Sequence, residues 1–297
     1  LHFTDVVEMR KISQYLVLSF VTFLAFCGGI FAQESRSLLW KISGNGLTSD
    51  SYLFGTIHLI PENDYFVPKG TDSVLALSKK LVMEMDISDP TLQLKMLSAM
   101  KLDSGKTLAN YFDEKTYAKL NKKLEKDFGF TLATFNTMKP MMVQQAILMK
   151  DMMGGGYKSY EKEFLTKAEK LNLSIVGLET LEDQLSAINS MPVEEQVESL
   201  KESINSPQKG KKSLEKMIAT YKQQDIDKLY EAVSGKDADL KKYEDALLIN
   251  RNRNWIPKIS SLAAEGPVFV AVGAAHLGGE QGVISLLRKA GFTVQPI

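Results

Sequence analysis

The sequence predicts an α/β fold: a central, mostly parallel sheet with helices on its faces and a large helical insertion. Two observations predict it. Short apolar runs of strand length recur along the chain, and between them lie polar and apolar mixtures with helical spacing at 91–170, 181–234 and 237–265. One run, Pro267-Val-Phe-Val-Ala-Val272, is continuously apolar, as expected of a strand covered on both faces by helices.

The N-terminal segment stands apart from this pattern. Met9-Arg10-Lys11 followed by an apolar run from Tyr15 to Cys27 reads as the basic and hydrophobic parts of a secretory signal peptide, with Met9 as the start and residues 1–8 as an upstream extension. Cleavage after Ala32 fits. The apolar run is shorter than the roughly 20 residues of a membrane span, which makes an uncleaved anchor the lesser alternative. Phe26 before Cys27 disfavours a lipoprotein signal, which needs a small residue there. Residues 1–32 are therefore assigned to extension and signal, and 33–297 to one domain, exported to the periplasm or secreted, with a helical insertion at about 91–170. Without Cys27 the chain has no cysteine, hence neither disulfide nor thiolate chemistry.

Leu38-Leu-Trp-Lys-Ile-Ser43 and Ser51-Tyr-Leu-Phe-Gly-Thr-Ile57 flank Gly44-Asn45-Gly46 and predict an opening β-hairpin. A helix over Ser73–Lys79 leads to a strand, Lys80-Leu-Val-Met-Glu-Met-Asp86, with acidic residues at its carboxyl end. Leu173-Ser-Ile-Val-Gly-Leu-Glu179 repeats that design. The methionines at 141, 142, 149, 152 and 153 read as plastic core. Gly154-Gly-Gly156 breaks their helix as a hinge or a loop. After the buried run at 267–272, residues 278–291 predict an amphipathic helix stopped by Gly291, and Phe292–Ile297 a last strand.

Lys plus Arg and Asp plus Glu both number 36, so no net field draws nucleic acid or an anionic membrane surface. No stable membrane partner is predicted; the expected partner is a peptide or small-molecule substrate.

The chemistry concentrates in two matching motifs. Gly55-Thr-Ile-His58-Leu and Gly273-Ala-Ala-His276-Leu each place a glycine at a strand end and a histidine three residues on, and apart from His2 the chain has no other histidine. Loops beyond the carboxyl ends of strands are where α/β sheets collect ligands. Imidazole serves there as metal ligand or proton carrier; the alternative is a pair of satisfied loop residues. A hydrolytic metal site needs a third protein ligand, and Glu84, on an apolar strand, is the first choice, with Asp86 as a second ligand or supporting partner. Glu179 is read as general base, ligand or helix cap. Arg251 falls on one helical stripe with Trp255, Ile259 and Leu262, placed to hold a substrate carboxylate, steady an oxyanion or pair with Glu84 or Glu179. Arg253, on another face, reads as solvated.

These segments resemble the TraB/GumN family, related to PrgY pheromone-shutdown proteins and Tiki metalloproteases. The resemblance rests on Phe54-Gly-Thr-Ile-His-Leu59, Val82-Met-Glu-Met-Asp86, Gly177-Leu-Glu-Thr180 with Gln184, Arg251-Asn252 and Val272-Gly-Ala-Ala-His-Leu-Gly-Gly-Glu-Gln-Gly-Val283. It implies a fold similar to the erythromycin-esterase and ChaN-like superfamily and a metal-dependent hydrolase acting on peptide bonds, with manganese or cobalt; the imidazole and carboxylate set also suits zinc. In that reading His58, Glu84 and His276 hold the ion, Glu179 relays a proton and Arg251 orients the substrate. Two alternatives stay open. One is a metal-independent esterase using a histidine and Glu84; the other is a non-catalytic protein that sequesters a secreted peptide or binds haem.

Overall fold

The computed structural model describes residues 36–297 apart from 104, 153–155 and 237–239. The signal segment with Cys27, as well as Met153, Gly154 and Gly155, lies outside the described residues.

The opening hairpin forms as expected, from β1 (Leu39–Gly44) and β2 (Ser51–Thr56), paired antiparallel about Gly44, Asn45 and Gly46, all at positive φ. A short β3 (Ile60–Pro61) and α1 (Thr71–Leu77) follow, then β4 (Lys80–Met83). Next come α2 (Pro90–Ala99), α3 (Glu114–Phe128), α4 (Leu132–Phe135) and α5 (Pro140–Met152). Local chemistry starts them: Asp89 accepts from Thr91 N ahead of Pro90, and Asp113 accepts from Thr116 N, satisfying donors that a helix N-terminus leaves open. Beyond lie β5 (Tyr157–Lys158), α6 (Tyr160–Lys170) and β6 (Ser174–Gly177). The helices α7 (Leu181–Asn189), α8 (Val193–Asn205), α9 (Pro207–Lys222) and α10 (Ile226–Ser234) precede α11 (Asn250–Glu265), β7 (Val268–Gly273), α12 (Val283–Lys289) and β8 (Phe292–Pro296).

Six strands form the central sheet in the order β6-β4-β7-β2-β1-β8. β6, β4, β7 and β2 are mutually parallel, and only β1 runs against its neighbours. The sheet is thus mostly parallel, as read from the sequence. Parallel alignment has a consequence for function: Thr56 lies opposite Gly273, and Met83 opposite both Ala271 and Gly177, so four carboxyl ends open on one edge. β3 and β5 pair separately, tying the segment after His58 to the start of α6.

The main core is built on both faces of this sheet from fully buried side chains such as Leu53, Val82, Val270 and Trp255. Phe54 meets Phe164 edge-on at 4.9 Å between ring centroids, an arrangement that adds to the apolar area it buries. A second core of Leu120, Leu124, Val143 and Leu200 lies among α3, α5 and α8. Val143 and Ile147 of α5 are buried, whereas Met141, Met142 and Met149 are half-buried at its border. Among the described residues no helix is long and apolar enough to cross a membrane.

Two expected boundaries move. The strand read as 80–86 ends at Met83, because the Gly273 N–H that follows in the neighbouring β7 donates to the Glu84 carboxylate rather than to strand backbone. The helix read at 278–291 begins only at Val283 and ends at Lys289.

Candidate active site

The two Gly-x-x-His motifs lie against each other. A Cβ on Gly55 would stand 3.0 Å from Ala274 Cβ and 3.1 Å from Leu277, both in the second motif, so a glycine at residue 55 lets the two motifs approach without crowding. Gly273 plays the matching part toward Glu84: its N–H donates to Oε1 at 2.8 Å, and a Cβ there would meet that same oxygen at 3.3 Å.

Beside this junction sits Arg251. A π-helical turn over Asp245–Ile249 leads into α11, and Arg251 Nη1 donates to Leu247 O at 3.0 Å within that distorted stretch. From there Arg251 reaches two carboxylates. Nη2 donates to Glu84 Oε2 at 2.5 Å and to Glu179 Oε1 at 2.6 Å, and Nε donates to Glu179 Oε2 at 3.0 Å. Trp255, one turn on, donates Nε1–H to Glu179 at 3.1 Å, and Gln184 Nε2 donates to Glu84 Oε2 at 3.1 Å. The side chains of Arg251, Glu84 and Glu179 are 15%, 10% and 5% exposed, so these charges depend on one another for their solvation.

His276 completes the buried cluster. Asn252 Nδ2 donates to Gln281 O at 2.9 Å, which turns its Oδ1 toward His276 Nδ1 at 2.6 Å. That nitrogen must carry the hydrogen, leaving the Nε2 lone pair to accept from Arg251 Nη1 at 3.2 Å. Burial holds His276 down at about 3, against the pull of Glu84, so it stays neutral. Burial alone would raise Glu84. The positive charge facing it, from His276 and His58 when protonated and from Arg251 always, together with the Gly273 N–H, brings it down to about 2.

His58 is treated differently. Its side chain keeps 71% of its surface open, and its Nδ1 lies 3.0 Å from Glu161 Oε1. Thr56 Oγ1 donates to the same oxygen at 2.9 Å, and Ser159 Oγ to the other at 3.0 Å. Hydrogen bonding to Glu161, helped by the charges of Glu84 and Glu161 and opposed by that of Arg251, raises His58 to about 9. His58, Glu161, Glu84 and Gln184 all line one cavity of about 500 Å³ whose remaining wall is largely apolar. The molecule therefore presents an imidazolium, oriented by a carboxylate, in the same cleft as a buried ionised carboxylate.

The expected residues converge in part. Glu84, Glu179, Arg251 and His276 form one hydrogen-bonded cluster, and His58 shares a cavity with Glu84. Glu179 is engaged by Arg251 and Trp255, and Thr180 with Asp183 caps α7 in its place. Asp86 lies beyond the strand and accepts from Ser88 N at 2.9 Å, in a local turn. Arg253 is exposed and donates to Gln281. As metal ligands, His58, Glu84 and His276 do not fit an ion in this arrangement: Arg251 sits on Glu84 and on the one nitrogen of His276 that has a lone pair. Among the described residues no group of three His, Asp or Glu side chains is placed to hold a metal. Sequence reasoning missed Glu161, whose place two residues after Ser159 looks like ordinary helix-start chemistry. It also gave Asn252 and Gln184 no role.

A family model, TraB/PrgY/gumN, matches residues 38–296. The chain is 20% identical to Metalloprotease TIKI2 of Danio rerio over 318 residues, 89% of this chain and 61% of that protein. Metalloprotease TIKI1 of Homo sapiens is 21% identical over 317 residues, covering 88% of this chain and 62% of the relative. The chain thus spans about three fifths of the length of these relatives. No solved structure matches it.

Proposed function

This chain belongs to the TraB/PrgY/gumN family, and on that premise we propose that it is a hydrolase acting on peptide bonds, or on related amide and ester carbonyls, in the cleft between His58 and Glu84. The observation that carries the reading is the His58–Glu161 pair facing the same cavity as Glu84. A carbonyl placed there meets an imidazolium able to donate to its oxygen or to the leaving group, with Glu161 fixing the ring. Glu84, kept ionised, is the carboxylate on the cavity wall that orients an attacking water. Arg251 is a positioning residue: it holds Glu84 and touches neither water nor substrate. Its other partner, Glu179, anchors the guanidinium and takes no part in proton transfer.

The relatives are named metalloproteases, which favours a second reading, a metal-dependent protease; in it His58, Glu84 and His276 would hold manganese, cobalt or zinc, and the ion would supply Lewis-acid activation of water. It requires Arg251 to withdraw from Glu84 and His276 toward Glu179. Export to the periplasm or outside the cell is part of the proposal and rests on the N-terminal apolar segment.

The test is hydrolysis of a fluorogenic peptide and ester panel by the purified chain, beside His58→Ala, Glu161→Gln and Glu84→Gln. Rates that fall by about 10²–10⁴ in His58→Ala support the acid–base role. Equal turnover in all four proteins, or none in any, rejects it; binding of peptides without cleavage would favour a sequestering protein instead.

A further inference from the structure

Resting on the hydrolase reading, we propose that the cleft takes the carboxyl-terminal end of a peptide or N-acyl amino acid whose last side chain is large and apolar. The side chain enters a methionine-lined pocket, and the carboxylate meets Lys162. The pocket is built from three elements. Leu92 and Met96, one turn apart on α2, share a face; Met83 and Met85 come from the end of β4, and Leu165 from α6. This wall adjoins Glu84 and His58, so an apolar group seated in it lies beside the reacting carbonyl. Methionine is unbranched and adapts its shape, so such a wall favours bulk and apolarity over one fixed outline.

Lys162 lines the same cavity and is exposed, and among the described residues no acidic side chain pairs with it. Its place is unfavourable for the helix that carries it. It is the third residue of α6, where the positive end of the helix dipole disfavours a cation. The charges around it assign it an anion from outside. Glu161 is matched by His58, and Glu84 with Glu179 share Arg251, leaving one negative charge in excess at the buried end. A substrate carboxylate is repelled from that end and held at the rim, where Lys162 stands. The scissile carbonyl, one residue back along the peptide, then falls between Lys162 and the His58–Glu84 pair.

Equilibrium binding tests this without turnover when the last peptide bond of every probe is replaced by a non-hydrolysable ketomethylene link. Fluorescence polarisation of the full chain with a dye-labelled pentapeptide ending in a free Leu carboxylate is compared with the same peptide ending in Gly, in Asp, or in Leu carboxamide. Leu should bind about tenfold or more tighter than Gly or Asp, in line with what a hydrophobic pocket discriminates. The free acid should bind several-fold tighter than the amide, and Lys162→Ala should abolish that difference while keeping the preference for Leu. Met96→Lys, checked for folding by circular dichroism, should remove the preference for Leu. Leu and Gly peptides binding within twofold of each other, or acid and amide binding alike, overturns the proposal on the unmodified chain. A protein that shows this binding pattern yet never cleaves fails as a hydrolase and not as a binder of apolar chain ends; one that cleaves without the preference fails the reverse.

Discussion

Arg251 Nη2 lies 2.5 Å from Glu84 Oε2 and 2.6 Å from Glu179 Oε1, so one guanidinium closes a buried bridge between two strand ends, β4 and β6. Both carboxylates are almost closed off from water, so their charges rely on that guanidinium for solvation. Removing the cation leaves both unpaired, which for buried pairs costs about 3–5 kcal/mol. Arg251→Met should therefore lower the free energy of unfolding in urea by that amount, at an unchanged dependence on urea concentration. Arg251→Lys should recover only part, because an ammonium cannot span both carboxylates and Leu247 O in one plane. If Arg251→Met is as stable as the parent, the bridge is not formed in solution.

The two histidines should titrate in opposite directions. His58, raised from 6.5 to about 9 by its bond to Glu161, binds its proton more tightly folded than unfolded. Its contribution to stability is fully present below 6.5 and is lost as pH rises through about 9. His276, lowered to about 3 by burial, contributes stability above 6.5 that is lost as pH falls toward 3. Histidine ring NMR should show one midpoint near 9 and one resonance that stays neutral throughout the folded range. Glu161→Gln should bring the higher midpoint back toward 6.5; a His58 that titrates normally in the parent protein contradicts the pair.

What could be read from the sequence follows the length scale of each interaction. The apolar runs at 51–57, 80–86 and 267–272 announced strands, the last because burial on both faces demands continuous apolarity, and Gly44-Asn45-Gly46 announced the hairpin. The Gly-x-x-His pair and the stripe of Arg251 with Trp255 marked the site through local spacing. What escaped was decided by pairing across the fold. Glu161 reaches His58 only because β3 and β5 pair, and nothing near residue 161 signals a partner more than a hundred residues away. The end of β4 at Met83 depends on a Gly273 N–H nearly two hundred residues downstream. The position of Arg251 between Glu84 and His276, which decides the fit to a metal, likewise has no local signature.

Gly55 should resist replacement, because its close contact joins the two histidine motifs. A Cβ there meets Ala274 at both Cα and Cβ within 3.1 Å, and backbone cannot step aside as a long side chain can. Gly55→Ala should cost about 1–3 kcal/mol as an overpacked core does. Because the contact joins the two histidine motifs, activity should fall along with stability. A variant with an unchanged melting temperature and full activity would show that the two loops are not packed as described.

The cation at the centre of the cluster can be identified chemically. Arg251 stands where an ion bound by Glu84 and His276 would need to be, its Nη1 3.2 Å from the only ring nitrogen of His276 with a free lone pair. A transition-metal ion needs about 2.0–2.1 Å to that nitrogen, closer than a guanidinium can tolerate. With Arg251 in place the purified chain should therefore retain less than one equivalent of manganese, cobalt or zinc by elemental analysis, and exhaustive chelation should leave its melting temperature unchanged. Arg251→Ala exposes two buried carboxylates and the His276 lone pair. Added divalent ion should then raise the melting temperature of this variant well above its metal-free value, by the mass action of a ligand that binds only the folded state. A parent protein that holds one tight equivalent, lost in His58→Ala and in His276→Ala, would show that the guanidinium yields to metal and would establish the second reading of the site.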